Sequence, residues 1–383
     1  MTTTLEAPPE SPAPPDQVNT GIQLSEEQEQ AKEQVLDWFN EGEKQEFRLG
    51  GYAGTGKTTL VQAILDEIED QGDIVLVCAP TGKAANVLRR KGIADAKTIH
   101  SAIYRPATPE SDNWELRRPD EIDADLFVVD EASMVSTELY QHLLSFNRPI
   151  LFVGDPGQLE PVGDNPNLMG SPDFVLQKIH RQAEGNPILQ LAQAVREGSV
   201  PKPGYRSPQL VMTTWPLPMK NLLQADQILC GTNAVRRNWN TVIRAEKGMP
   251  SDCLVGVGEK LIVLRNDHKL HVFNGQLITV TKVRHESEDA IYVNAVDDTG
   301  DNHFWDLRLW KPGLLGATPS RDHRMPRKTA HVDYGYVITC HKSQGSEWDN
   351  VVVIDPGIIG TWDMRRWRYT AITRAAKALI YCQ

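Results

Sequence analysis

The chain has 383 residues, 40% of them hydrophobic, which is enough apolar material for two or three packed domains. No apolar run reaches the length of a membrane span, and the N-terminus lacks the basic and apolar regions of a signal peptide, so a soluble cytoplasmic protein is expected. A net charge of −11 argues against a uniformly basic surface, but eleven acidic residues and two lysines in the first 46 positions carry −9 of it and the other 337 residues only −2; charge therefore neither supports nor excludes a nucleic-acid partner.

In chain order, residues 1–22 hold five prolines in their first fifteen positions and almost nothing to bury, the composition of a disordered tail. Ser25 then opens a helical pattern as an N-cap. Gln28 stands at the capping-box spacing, and Ala31, Val35, Leu36 and Phe39 share one face. The run EFRL predicts a short strand, and GGYAGTGKTTL follows at 50–60. Its spacing of Gly51, Gly56, Lys57 and Thr58 is that of a P-loop, in which glycines let backbone N–H groups close around phosphate oxygens. Behind it Leu60, Val61, Ile64, Leu65 and Ile68 lie on one helical face, so a helix N-terminus points at the phosphates. A bound nucleoside triphosphate with magnesium is expected.

Further on, the runs DIVLVCAP, DLFVVDEAS, PILFVGDPG, DQILCGT, NVVVIDPG and KALIYC are short apolar stretches that end in polar or small residues. That is the pattern of buried parallel strands with functional loops at their carboxyl ends, hence a doubly wound α/β architecture. Two segments interrupt it: the polar, proline-containing residues 104–124, and residues 276–330, whose alternation predicts a small antiparallel β module. The five cysteines are far apart without a CxxC pair, and Cys78, Cys230, Cys340 and Cys382 sit in or beside apolar runs, as core residues would.

LFVVDEASMV ends a strand in Asp130 and Glu131. A P-loop enzyme needs one carboxylate on magnesium and another to orient or deprotonate the attacking water, although such a pair can also cap a helix. In ILFVGDPGQLEPVG a turn explains Gly154, Asp155 and Gly157 but not Gln158, whose amide could hydrogen-bond a γ-phosphate. Arg181 and Arg374 lie at or within helical runs of the far half of the chain. They are either solvated surface residues or fingers that complete the site across a cleft.

Taken in order, LSEEQ (24–28), GGYAGTGKTT (50–59), APTGKAA (79–85), TIHSAIY (98–104), VVDEASMV (128–135), VGDPGQLEPV (153–162), IHRQ (179–182), YGYVITCHKSQGSEWDNVVV (334–353) and YTAITRA (369–375) resemble the superfamily 1B DNA helicases, nearest the RecD branch and its phage Dda-like members. The resemblance covers 24–383. It implies two RecA-like doubly wound parallel-sheet P-loop domains, at 23–180 and 181–383. The first would carry a small insertion at 104–124 with a strand-separating pin, and the second an SH3-like β insertion at about 276–330 that forms part of the DNA path, with FNGQ (273–276) leading into it.

The same resemblance implies ATP and Mg2+ as cofactors. Gln28 would read adenine in place of its capping role. Gly51, Ala53, Gly54, Thr55, Gly56, Lys57, Thr58 and Thr59 would line the phosphates with Gly345. Thr58 and Asp130 would hold the metal, Glu131 would be the catalytic base, and Gln158, Arg181 and Arg374 would surround the γ-phosphate. A single DNA strand would be held by Thr81, Gly82 and Lys83, by Thr98 and His100, by Thr232 and Asn233, and by His341, Lys342 and Ser343, with Trp114 meeting the duplex junction. A threonine before a helix is otherwise an ordinary cap. Glu160 stands where the family often has proline.

The function implied is an ATP-driven motor on single-stranded DNA, moving 5′ to 3′ and separating forked duplex DNA. A monomer is expected, with replication or recombination proteins as candidate partners and no membrane. Two alternatives are a translocase that strips proteins from single strands without unwinding, and a P-loop ATPase switch that does not act on DNA. The switch leaves the motifs beyond residue 180 unexplained, and the chain has no NKxD signature.

Overall fold

The computed structural model describes residues 24–106, 114–160, 163–179, 185–249, 251–267, 269–298, 300, 302–317, 319, 325–326 and 328–383. The expected tail, the middle of the first insertion and Arg181 lie outside the described residues.

Helix α1 (Glu26–Glu41) starts as its cap predicts. Ser25 Oγ accepts from the Gln28 N–H, and the Gln28 side chain accepts from the Ser25 N–H at 2.9 Å. Its buried face is Gln28, Ala31, Val35 and Trp38, with Leu36 and Phe39 only partly covered. Trp38 wins the inner place because its ring packs 5.6 Å from Phe47 while its indole N–H donates to Lys44 O. Helix α2 (Lys57–Asp70) buries Leu60, Val61, Ile64, Leu65 and Ile68 as expected, each contributing about 1.5–3 kcal/mol. Helix α3 (Gly82–Arg90) follows the next strand and is capped by Thr81.

The predicted strands separate into two parallel sheets. The first has the order Lys97–Thr98, Val75–Ala79, Leu126–Val129, Ile150–Gly154, Glu46–Gly51, Phe174–Leu176. The second has the order Val337–Thr339, Gln227–Cys230, Trp348–Ile354, Ala375–Cys382, Leu210–Thr213. Because neighbours run parallel, their functional loops leave from one edge: Val129 is in register with Phe152, and Gly50 with Gly154. The P-loop, the acidic pair and the Gly154–Gln158 loop are thereby brought together.

A third sheet is antiparallel, in the order His303–Trp310, Ala290–Asp297, Leu277–Glu286, Lys260–Val263, Val332–Tyr334. It takes in strands on both sides of 276–330 and so is wider than the segment read from sequence. It packs a core of its own that includes Val263, Ile278, Val293, Leu309 and Val332. In the first insertion, Tyr104–Pro106 and Trp114–Leu116 pair as an antiparallel ribbon, on which Arg105 bridges Glu115 and Glu121.

Candidate nucleotide cleft and strand groove

The two parallel sheets are joined by buried hydrogen bonds. The Leu159 N–H donates to Thr370 Oγ1 at 2.9 Å and Gln344 Nε2 donates to Leu159 O at 2.6 Å. The P-loop is tied across the same seam: the Tyr369 hydroxyl accepts from the Ala53 N–H and donates to Asp155 Oδ2, both at 2.8 Å. Beside these contacts lies an open cleft of about 920 Å3, lined from the first domain by Ala53, Gly54, Gly56, Lys57, Thr58, Thr59, Asp130, Glu131 and Gln158, and from the second by Gly345 and Arg374.

Within the loop, Gly54 and Gly56 take φ of 79° and 74°, a conformation that a side chain disfavours. A Cβ on Gly51 would come within 2.7 Å of the Lys57 side chain. The Lys57 ammonium donates to Gly51 O at 2.6 Å and Tyr52 O at 3.2 Å, while Thr55 Oγ1 donates to Tyr52 O. Gln28 serves its cap and also reaches the loop, since Nε2 donates to Thr55 O and Gly56 O at 3.3 Å. Capping and bracing are therefore compatible in one side chain.

Burial raises the Asp130 carboxyl above its usual range, opposed by the charges of Lys57 and Lys91. Burial and the Asp130 charge raise Glu131 too, opposed by Arg374 and Lys57. Glu131 sits at φ 52°, ψ 40°, a left-handed conformation uncommon for glutamate. Gln158 is 6% exposed, and its Oε1 is buried without a partner among the described residues. Arg374 is also buried, with its guanidinium donating to Thr370 O, Ser346 O and Thr373 Oγ1. Glu160, the departure from the family pattern, pairs with Arg366 of the second domain.

The acid pair and the Thr58 hydroxyl suit Mg2+. This cation takes oxygen ligands and is usually held by one or two carboxylates together with substrate phosphates. Among the described residues no group of three or more His, Cys, Asp or Glu could hold a metal.

The expected strand residues sit at helix starts and in a turn of the two parallel-sheet domains. Thr81, Thr98 and Thr232 are each N-caps, accepting from the N–H groups of Ala84, Ser101 and Val235. Gly82 lies under the Phe273 ring, Lys83 pairs with Asp298, and Lys342 donates to Asn274 Oδ1. Asn233 accepts from Arg236, His100 stacks on Tyr104, and His341 meets the Trp362 ring edge-on. Burial lowers the His341 pKa and favours the neutral ring. Ser343 is fully buried and its hydroxyl donates to Cys340 O, inside the turn. Trp114 stands 40% exposed on the ribbon.

Two residues of the cleft escaped sequence reasoning. Tyr369 is an aromatic on an apolar helical face, and a buried phenol brings its hydroxyl to a partner, which is the only signal that could have marked it. Lys91, just past α3, places its ammonium 3.5 Å from Thr58 Oγ1, but in the run LRRKG it reads as a solvated helix end.

A P-loop, an acidic pair, a buried glutamine and an arginine from a second sheet around one cleft define a P-loop protein of the two-RecA-domain class. Residues 23–207 match the AAA domain family and residues 334–381 the UvrD-like helicase C-terminal domain. The chain is 28% identical over 389 residues to the ATP-dependent RecD2 DNA helicase of Deinococcus radiodurans, covering 92% of this chain and 48% of the relative. With the ATP-dependent DNA helicase dda of Enterobacteria phage T4 it shares 32% identity over 189 residues, 46% of this chain and 43% of the relative. Its fold is similar to that of Bacteroides Pif1 bound to ssDNA, with a TM-score of 0.55 at 19% identity, covering 94% of this chain and 92% of that one. The chain spans about half the length of the curated relatives it matches. The chain is thus similar in sequence to RecD2 and dda helicases over part of their length, and in fold to Pif1.

Proposed function

We propose that the chain is an ATP-driven motor on single-stranded DNA that separates forked duplex, moving 5′ to 3′ as its resemblance to the RecD branch implies. The observation that carries this reading is the division of one cleft between two sheets: Glu131 and Gln158 stand on one wall and Arg374 on the other. Nucleotide in such a cleft controls how close the walls stand, and each wall carries strand candidates, Thr81 to Lys83 on the first and Lys342 on the second. Support also comes from the relatives, two of which are named as ATP-dependent DNA helicases, and from the similarity to Pif1 bound to ssDNA.

In this reading the N–H groups of the P-loop cradle the phosphates, and Lys57 turns from the Gly51 and Tyr52 carbonyls to the β- and γ-phosphates. Thr58 and Asp130 would hold Mg2+, which would neutralise charge on the phosphate oxygens. Glu131 takes the proton of the attacking water, a role favoured by a pKa raised through burial. The orphaned Gln158 Oε1 orients that water. Arg374 meets the charge that develops on the transferred phosphoryl group, Arg181 is assigned beside it, and Gln28 meets adenine while bracing the loop. Thr98, His100, Thr232, Asn233 and His341 contribute polar contacts to the strand, the antiparallel module is an SH3-like wall of its path, and Trp114 meets the fork.

The test is the ATPase rate with and without single-stranded DNA, paired with unwinding of 5′-tailed and 3′-tailed duplexes. DNA-stimulated turnover with release of the 5′-tailed substrate alone is expected. Stimulated turnover without strand release would favour the protein-stripping translocase, and turnover indifferent to DNA would overturn the motor.

A further inference from the structure

Lys83 does not face an open groove. Its ammonium, on the first turn of α3, donates to Asp298 Oδ2 at 2.7 Å and lies 4.4 Å from the centre of the Trp348 ring. Asp298 stands in the turn between Ala290–Asp297 and His303–Trp310, so this ion pair joins the P-loop domain to the antiparallel module. The two side chains keep only 12% and 20% of their exposure. The same seam is closed at a neighbouring point, where a Cβ on Gly82 would come within 2.7 Å of the Phe273 ring. Next to Phe273, Asn274 takes the Lys342 ammonium of the second domain at 2.7 Å.

A carboxylate offers an ammonium what a phosphodiester offers, two oxygens sharing a negative charge. A second lysine, Lys260, lies within electrostatic reach of the same carboxylate and of Lys83. Burial pushes its ammonium down to about 8, and burial lowers Lys83 as well, with Asp298 opposing in both cases. If Asp298 withdrew with nothing in its place, two desolvated ammonium groups would lose a shared counter-charge, leaving Lys83 with Asp297 and Lys260 with Asp226. Another anion would restore what was lost.

We propose that Asp298 is an internal stand-in for a strand phosphate, holding Lys83 in the strand-free protein and giving way to a phosphodiester of single-stranded DNA. This rests on the reading of Lys83 as a strand contact. The exchange keeps Lys83 paired throughout and frees the turn that carries Asp298 from α3. A tethered carboxylate thus competes with every incoming strand and raises the concentration of strand needed for binding.

The test is fluorescence anisotropy of labelled oligo-dT with the full chain across a salt series. Asp298→Asn should bind several-fold more tightly than the parent with an unchanged slope of log affinity against log salt, because the same phosphates are neutralised. Lys83→Ala should bind more weakly, with a slope shallower by about 0.7, the share of one single-strand phosphate. Asp298→Ser should repeat the tightening and Asp298→Glu should restore the parent affinity, which separates a charge effect from a local defect. Parent-like or weaker binding by both neutral variants overturns the exchange, even where Lys83→Ala behaves as expected. Unchanged affinity and slope in Lys83→Ala removes the strand reading of Lys83 itself, and the exchange with it.

Discussion

Tyr369→Phe isolates one hydroxyl at the domain seam. The side chain is 2% exposed, and its oxygen serves the Ala53 N–H and Asp155 Oδ2, each at 2.8 Å. Phenylalanine keeps the ring against Gly157 and the edge-on contact with Tyr52, so packing is preserved and only the two bonds are lost. A bond to a carboxylate contributes about 1.5–3 kcal/mol and one to a neutral N–H about 0.5–1.5 kcal/mol, so the change removes roughly 2–4 kcal/mol. Asp155 retains the Gly157 N–H at 2.8 Å, which holds the loss toward the lower end. With about 2–4 °C per kcal/mol for a domain of this size, the nucleotide-free melting midpoint should fall by roughly 5–10 °C. The KM for ATP should rise as well, because the P-loop loses its brace, while affinity for single-stranded DNA stays at the parent value. Thermal melting and steady-state ATPase measure these quantities. A parent-like midpoint with a parent-like KM would show that the hydroxyl does not couple the two domains.

Glu131→Gln should bind nucleotide but not turn it over, and normal turnover would remove Glu131 from the base role. Its folded pKa is raised, so ionisation costs stability above the usual carboxylate range. The nucleotide-free variant should therefore melt above the parent at neutral pH, and the gain should vanish as pH falls to where the parent's carboxylate is protonated in both states; melting curves across pH check this. Burial pushes the thiols of Cys78, Cys230 and Cys340 up to about 12 and that of Cys382 to about 11, whereas Cys253 is partly exposed. One fast-reacting thiol is expected with a disulfide reagent on the native protein, and a second fast thiol would contradict the burial. Trp114→Ala should reduce unwinding several-fold more than DNA-stimulated ATPase, and equal losses in the two assays would argue against a pin.

The parts of the molecule that depend on short spacings were legible in the sequence. Ser25 and Gln28 are three residues apart, the α2 face repeats with the helical period, and seven of the parallel strands are compact apolar runs, whereas Lys97–Thr98, Phe174–Leu176, Leu210–Thr213 and Val337–Thr339 are too short to stand out. Tyr369, by contrast, acquires its role from residues more than 200 positions away, and no periodicity encodes that. Asp298 falls in DDTG, which reads only as a turn. The antiparallel module was drawn too narrowly because Lys260–Val263 resembles the other short apolar strands and Val332–Tyr334 has only three residues. Ser343 sits among polar residues in HKSQG, and the inward turn that brings its hydroxyl to Cys340 O has no local sequence signal.

Helix α3 carries Thr81 as its cap at one end and Lys91 at the other, beside Thr58 Oγ1. Nine helical residues rise only about 13.5 Å, a rod too short to flex between its ends. Gly345 of the opposite domain rests on its first turn, where a Cβ would come within 3.3 Å of Ala84. If Thr81 holds the strand as proposed, a load there reaches Lys91 through one rigid part, which would tie strand grip to the hydroxyl assigned to the metal.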